Sequence, residues 1–236
     1  TGLKTQELSS KLEKNLDHKL SSGTDIKLTV DLRVQNIVRD EIKKSIKNYK
    51  AKSGLAIVMN VNNGEILAMV SLPDFDPNYP ESILPNTENN LATEARYEMG
   101  STLKIFNAAI VYELKSSLQN NKFNISKGYQ ITDQKNISDE HIKIDTLTFE
   151  QIFIKSPNVG SVKILDSVGY RAQKEVFEKV GLTRNLTVDG IKIVPNKLPE
   201  NWDLYSRFMS YGYGISISPL SLTTAFSSLV NGGYKI

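Results

Sequence analysis

Apolar residues recur at helical spacing through Val34, Ile37, Val38, Ile42 and Ile46, with Lys and Arg on the other face. A helix is therefore predicted from Asp31 onward. The period then changes. Leu55–Val61 is a short apolar run, Glu65–Val70 is a second, and Asn62-Asn63-Gly64 lies between them. Asn-Gly supplies the positive φ angles of a tight two-residue-type turn, so this segment is predicted to be a hairpin. The stretch 73–90 carries four prolines with several Asn and Asp, and reads as irregular loop. Beyond Gly100, Leu103, Phe106, Ile110, Val111 and Leu114 share one face of a further helix.

Residues 121–147 are polar and predicted to be loop-rich. Thr148-Phe149-Glu150-Gln151 is a capping box that opens a short helix to about Lys155. Ser156-Pro157-Asn158 interrupts it, and helical spacing resumes over Val159–Val168 until Gly169. Another helix is predicted from Arg171 to Val180, stopped by Gly181. Ser218-Pro219 places an N-cap before a first-turn proline, and that helix runs to Asn231 with Gly232 as its stop. Residues 1–24 are polar, with weak spacing at Leu8, Leu12 and Leu16, and are read as a linker. The order of helix, hairpin and many helices predicts an α+β domain over 25–236, its sheet begun early and not completed.

Composition narrows the chemistry. A length of 236 residues suits one domain, and 39% hydrophobic with 23% charged residues is an ordinary globular balance. A net charge of +3 is too small to argue for nucleic acid, and none is expected as a partner. The absence of Cys excludes a disulfide framework, a Cys-ligated zinc and a thiol nucleophile. With only His18 and His141, a multi-histidine metal site is excluded as well. No run approaches the roughly 20 apolar residues of a membrane span, and no signal peptide is visible. The chain opens on Thr1-Gly2 rather than Met, which is read as a fragment whose upstream anchor lies outside it.

Two short segments could carry chemistry. In Ser101-Thr102-Leu103-Lys104 the serine stands at a helix start and the lysine one turn along the same face. A neutral Lys104 amine there could take the Ser101 proton and activate a nucleophile without histidine. Lowering a lysine from about 10.4 toward 7 costs on the order of 4–5 kcal/mol, which burial and nearby positive charge must supply. By itself the tetrad equally describes an N-cap serine followed by an exposed lysine. In Ser156-Pro157-Asn158-Val159-Gly160, Ser156 and Asn158 could both face a cleft, one relaying a proton and the other binding a substrate amide. An ordinary proline-punctuated turn reads the same way.

Ser-x-x-Lys followed by Ser-x-Asn resembles the penicillin-recognising serine acyltransferases, whose third motif is Lys-Thr/Ser-Gly. The surroundings sharpen the resemblance. The run from Ser53 to Met69 resembles the first hairpin of a class B penicillin-binding protein. Glu98-Met99-Gly100-Ser101-Thr102-Leu103-Lys104 resembles its Pro-Gly-Ser-Thr-x-Lys segment, with Met99 where proline is usual. Gly212 to Leu220 and Asn231-Gly232-Gly233 resemble the late-helix region, and Asp31-Leu32-Arg33-Val34-Gln35 the leading helix. The chain is identified on these residues as similar to a class B transpeptidase domain of the division type (FtsI-like). The Asn in Ser-x-Asn-Val-Gly favours that branch, since elongation-type relatives commonly carry Asp. Class D β-lactamases commonly have Val there, and class A enzymes use Ser-Asp-Asn with an additional Glu.

The resemblance implies the penicillin-binding protein/β-lactamase-like fold, an antiparallel sheet flanked by helices, with residues 1–24 a linker or remnant of an upstream pedestal domain. It implies a D,D-transpeptidase that cross-links stem peptides at the septum and is acylated by β-lactams. Ser101 would be the nucleophile, Lys104 the base, Ser156 a proton relay and Asn158 a partner of the substrate amide, with no cofactor and no metal. Implied partners are peptidoglycan stem peptides, β-lactams and divisome proteins, including a septal glycosyltransferase of the FtsW type. The implied location is the periplasmic face of the inner membrane. The third motif is expected after the late helix, and Ile236 is reached before it, so residues 1–236 alone are expected to be inactive. Lys52-Ser53-Gly54 matches the pattern but precedes the nucleophile, whereas the family's motif comes last. The alternatives are a non-catalytic penicillin-recognising module and a D,D-carboxypeptidase or β-lactamase relative.

Overall fold

Asp31 starts the first described helix, α1 (Leu32–Tyr49), its extended backbone letting the carboxylate accept from the Arg33 and Val34 N–H groups. Lys50 ends it in the left-handed region, donating to the Ile46 and Lys47 carbonyls. The structure, a computed structural model, describes residues 27–236 except 80, 82, 84, 86, 88, 189 and 190. The linker predicted over 1–24 lies outside the described residues.

One face of α1 lies along a hairpin of β1 (Gly54–Met59) and β2 (Ile66–Leu72), antiparallel from Gly54 opposite Leu72 to Met59 opposite Ile66. The Gln35 amide donates to the Met69 carbonyl at 2.8 Å and accepts from its N–H at 2.9 Å. The Asp31 N–H donates to the Leu67 carbonyl at 2.9 Å, so α1 satisfies the outer edge of β2. The turn departs from expectation. It is a longer connection over 60–65, in which Gly64 alone takes a positive φ, +78°. The Asn60 carbonyl accepts from Gly64 at 2.9 Å and its side chain from Asn62 at 3.1 Å, so an Asx turn replaces the two-residue turn.

A short helix, α2 (Leu91–Glu94), precedes a 3₁₀ turn over Gly100–Leu103 that runs directly into α3 (Lys104–Leu114). The stretch predicted to be loop-rich holds β3 (Lys122–Asn124), β4 (Tyr129–Thr132), β5 (Lys135–Ile137) and, at its end, β6 (Thr146–Thr148). β3 pairs with β6 and β4 with β5, both antiparallel. These strands are too short and polar to show an alternating pattern, which is why periodicity passed over them. Thr148 closes the expected capping box onto α4 (Phe149–Lys155). Then come α5 (Asn158–Val168), α6 (Tyr170–Lys179), α7 (Trp202–Met209) and α8 (Pro219–Val230). α7 was not predicted; it starts where the Asn201 side chain accepts from the Leu204 N–H.

α3 packs between two apolar clusters, although Leu114 at its end, expected on the same face, is exposed. On one side Leu103, Phe106 and Ile110 meet Phe177 of α6, Met209 of α7 and Ala225 of α8. The Phe106 ring packs edge-on against Phe177 and Phe226, with centroids 5.6 and 5.4 Å away. On the other side Val111 joins Phe123, Leu147, Ile152, Val159 and Ile164. Each such side chain contributes about 1.5–3 kcal/mol on burial, so the start of α3 is anchored from both flanks. α8 ties the hairpin to this body, Asn231 donating to the Val61 carbonyl at 2.9 Å. Together with the hairpin these helices form the α+β arrangement that was expected.

Candidate active site

The approach to Ser101 is held mainly by backbone hydrogen bonds. Tyr97 and Ile217 exchange both N–H···O bonds, at 3.0 and 2.9 Å, and the Gly100 N–H donates to the Gly212 carbonyl at 3.1 Å. The Glu98 carboxylate accepts from the Gly214 N–H at 2.7 Å, locking the same two segments together. Met99 has a φ of −79°, at the edge of the range a proline ring would impose, so the backbone here is one that a proline could also adopt. Ser101 sits in the 3₁₀ turn, exposed, and its hydroxyl makes no hydrogen bond with any described residue.

Lys104 is buried at the first position of α3, 5% exposed. Its Nζ donates to the Ser156 carbonyl at 2.6 Å, to Ser156 Oγ at 3.0 Å and to Asn158 Oδ1 at 2.8 Å. Those three acceptors use all three N–H bonds of an ammonium. Burial pulls the lysine down from 10.5 to about 8, while the negative charge of Asp139 acts in the opposite direction. No hydrogen bond joins Lys104 to Ser101 in this arrangement. An ammonium has no lone pair to receive the serine proton, and its donors already point toward Ser156 and Asn158.

Ser156 owes its orientation to an unusual backbone. It ends α4 in the left-handed region, φ 53° and ψ 42°, with its N–H donating to the Ile152 carbonyl. That conformation costs a side-chain-bearing residue roughly 1–2 kcal/mol, and it turns the Ser156 carbonyl onto Lys104. Pro157 then returns to extended geometry and α5 begins at Asn158. Pro157 supplies no capping side chain, and the carboxylate of Asp139 does so instead, accepting from the Asn158 and Val159 N–H groups at 2.8 Å each. Sequence reasoning missed Asp139. It lies 19 residues before Asn158 in a polar connection, where no local spacing marks it.

Three of the four residues singled out in the sequence thus converge: Lys104, Ser156 and Asn158 form one hydrogen-bonded cluster, with Ser101 one turn before Lys104 on the same element. A buried amine of lowered basicity hydrogen-bonded to two polar side chains can shuttle protons, and the unengaged serine precedes it by one turn in the chain. Lys52 and Ser53 of the early Lys-Ser-Gly are exposed where α1 gives way to β1. Among the described residues no group of three or more His, Asp or Glu side chains could hold a metal ion.

The chain is similar to known proteins in sequence and in fold. The chain is 32% identical over 212 residues to the probable peptidoglycan D,D-transpeptidase FtsI of Caulobacter vibrioides, covering 89% of this chain and 36% of that protein. It is 32% identical over 218 residues to stage V sporulation protein D of Bacillus subtilis, covering 89% of this chain and 33% of that one. The chain therefore spans about a third of the length of these curated relatives. Among solved structures, the transpeptidase domain of Burkholderia pseudomallei penicillin-binding protein 3 superposes with a TM-score of 0.75 at 25% identity, covering 88% of this chain and 59% of that one. A peptidoglycan glycosyltransferase from Burkholderia ambifaria superposes with a TM-score of 0.76 at 26% identity, covering 89% of this chain and 63% of that one. Residues 54–236 match the family described as penicillin binding protein transpeptidase domain, and the chain belongs to that family.

Proposed function

We propose that the protein is a peptidoglycan D,D-transpeptidase of septal cell-wall synthesis, working through an acyl-enzyme on Ser101. The observation that carries this reading is the burial of Lys104 against Ser156 and Asn158, which brings a lysine to about 8 one turn from an unengaged serine. Neutral Lys104 accepts the Ser101 proton as Oγ bonds to the carbonyl carbon of the penultimate D-Ala. The Ser101 N–H stabilises the oxyanion that forms. When the intermediate collapses the C–N bond breaks, and the proton on Lys104 passes through Ser156 Oγ to the leaving amine of the terminal D-Ala. The amine of a neighbouring stem peptide then attacks the ester, and Ser101 recovers its proton. Asn158 orients the substrate amide and Lys104 together. A β-lactam acylates the same oxygen by ring opening, with no leaving group lost.

The test is labelling of the full-length protein with a fluorescent penicillin. One adduct on Ser101, abolished by Ser101→Ala, is expected; an adduct on another serine, or none, overturns the assignment. The septal role draws support from the name of the Caulobacter relative and from the Ser156-x-Asn158-Val159-Gly160 pattern. It carries with it a glycosyltransferase partner of the FtsW type and a place on the periplasmic side of the inner membrane, where peptidoglycan is assembled. A fluorescent fusion concentrated at the septum is expected, and one spread evenly over the lateral wall would remove the division reading.

A further inference from the structure

Asp139 is a buried carboxylate that the reaction scheme does not use. It is 6% exposed, in the connection between β5 and β6, and both its oxygens are spent on the backbone of Asn158 and Val159. The turn that carries it is closed locally, the Ile142 N–H donating to the Asp139 carbonyl at 2.8 Å. Two charge-assisted bonds to the first turn of α5 place a negative charge where the helix dipole favours one. The residue so fixed is Asn158, whose side chain holds Lys104 Nζ at 2.8 Å. We infer that Asp139 is a positioning residue for the transpeptidase reaction, setting the place of Asn158 through its main chain and holding a negative charge one hydrogen-bonded residue away from Lys104.

This inference rests on the role proposed for Lys104, and adds to it a residue that touches neither substrate nor nucleophile. The electrostatics agree with the geometry. Burial lowers Lys104, and Asp139 is the charged group that opposes it. The other charged side chains on neighbouring elements are engaged elsewhere or exposed. Asp166 of α5 pairs with Arg207 of α7, and Lys179 of α6 pairs with Glu113 at the far end of α3. Lys155, beside Ser156, is exposed. A neutral amide at position 139 would leave one of the two backbone donors without its acceptor and would remove the charge together.

The experiment compares full-length wild type, Asp139→Asn and Asp139→Glu by two readouts. Lysine ¹³Cε signals titrated by NMR follow Lys104 without requiring any reaction, and the rate of penicillin acylation against pH follows the site at work. In Asp139→Asn the Lys104 midpoint is expected to move to lower pH, since the charge that favours the cation is gone. Its acylation plateau is expected to fall about tenfold or more, because Asn158 is no longer held in place. Asp139→Glu keeps the charge, so the midpoint returns to the wild-type value while the plateau stays low. An unchanged midpoint in Asp139→Asn, or one that Glu does not restore, overturns the proposal. A merely structural role would reduce the amount of labelled protein and leave the midpoint alone. If Asp139→Asn shows no cooperative melt, Asp139→Ser, which likewise removes the charge, takes its place under the same criteria. Wild type without penicillin labelling would count against the proposed activity, while the NMR midpoints would still decide the part played by Asp139.

Discussion

A Cβ added to Gly212 would lie 1.8 Å from the carbonyl oxygen of Gly100. The two backbones touch directly, one residue before Ser101, and Gly212 reaches that contact with a φ of +104°. The Gly100 N–H donates to the Gly212 carbonyl across the same contact at 3.1 Å. The placement of the serine is thus coupled to a segment more than a hundred residues later, with no side chain between them.

Gly212→Ala is expected to displace the Ser101 turn, since backbone atoms cannot yield as a flexible side chain would. A shift of about 1 Å at a reacting group can cost about 100-fold in rate, and a loss of that order in penicillin acylation is expected. Gly100→Ala is the matched comparison. Gly100 has a φ of +56° but open space around the added atom, so only strain of about 1 kcal/mol is expected, with labelling largely kept. Normal labelling of Gly212→Ala would show that the contact is dispensable.

The pH dependence follows from Lys104, whose value falls from 10.5 to about 8 through burial. The neutral amine is the reactive form, so the acylation rate is expected to rise with pH through about 8 and then flatten. Lys104→Arg keeps a cation that cannot lose its proton, and should abolish acylation at every pH. The same shift bears on stability. Between about 8 and 10.5 the unfolded chain binds the proton that the folded one has released, so this residue makes stability rise with pH across that window. A rate profile flat from pH 7 to about 9 would exclude Lys104 as the base.

The left-handed backbone of Ser156 separates hydroxyl from conformation. Ser156→Gly removes the hydroxyl and relaxes the strain, whereas Ser156→Ala removes the hydroxyl and keeps the Cβ at a φ of 53°. The glycine variant is expected to melt higher than the alanine variant, by about 2–4 °C for roughly 1 kcal/mol in a chain this long. Both should acylate at least about 100-fold more slowly than wild type, as loss of a proton relay predicts. Acylation restored in Ser156→Gly would mean that the hydroxyl carries no proton.

Local grammar was enough for much of this protein. The Thr148 capping box, the Gly169 and Gly181 stops and Ser218-Pro219 are decided within a few residues, because each satisfies backbone groups that are close in the chain. The Ser101-x-x-Lys104 and Ser156-x-Asn158 segments were equally visible as residue types in order. Their assembly was not. Whether Lys104 is buried or solvated depends on the clusters around Phe106 and Val111, which draw on helices far apart in the sequence. The strands β3 to β6 and the helix α7 escaped notice because their own patterns are weak and pairing, capping or tertiary burial stabilises them. The Gly100–Gly212 contact and the grip of Asp139 on Asn158 join positions with no shared local signal. Sequence determined which groups could do chemistry, since functional groups are a property of residues. Tertiary structure alone decided their basicity and aim, because desolvation, charge proximity and hydrogen-bond direction exist only once distant segments have packed together.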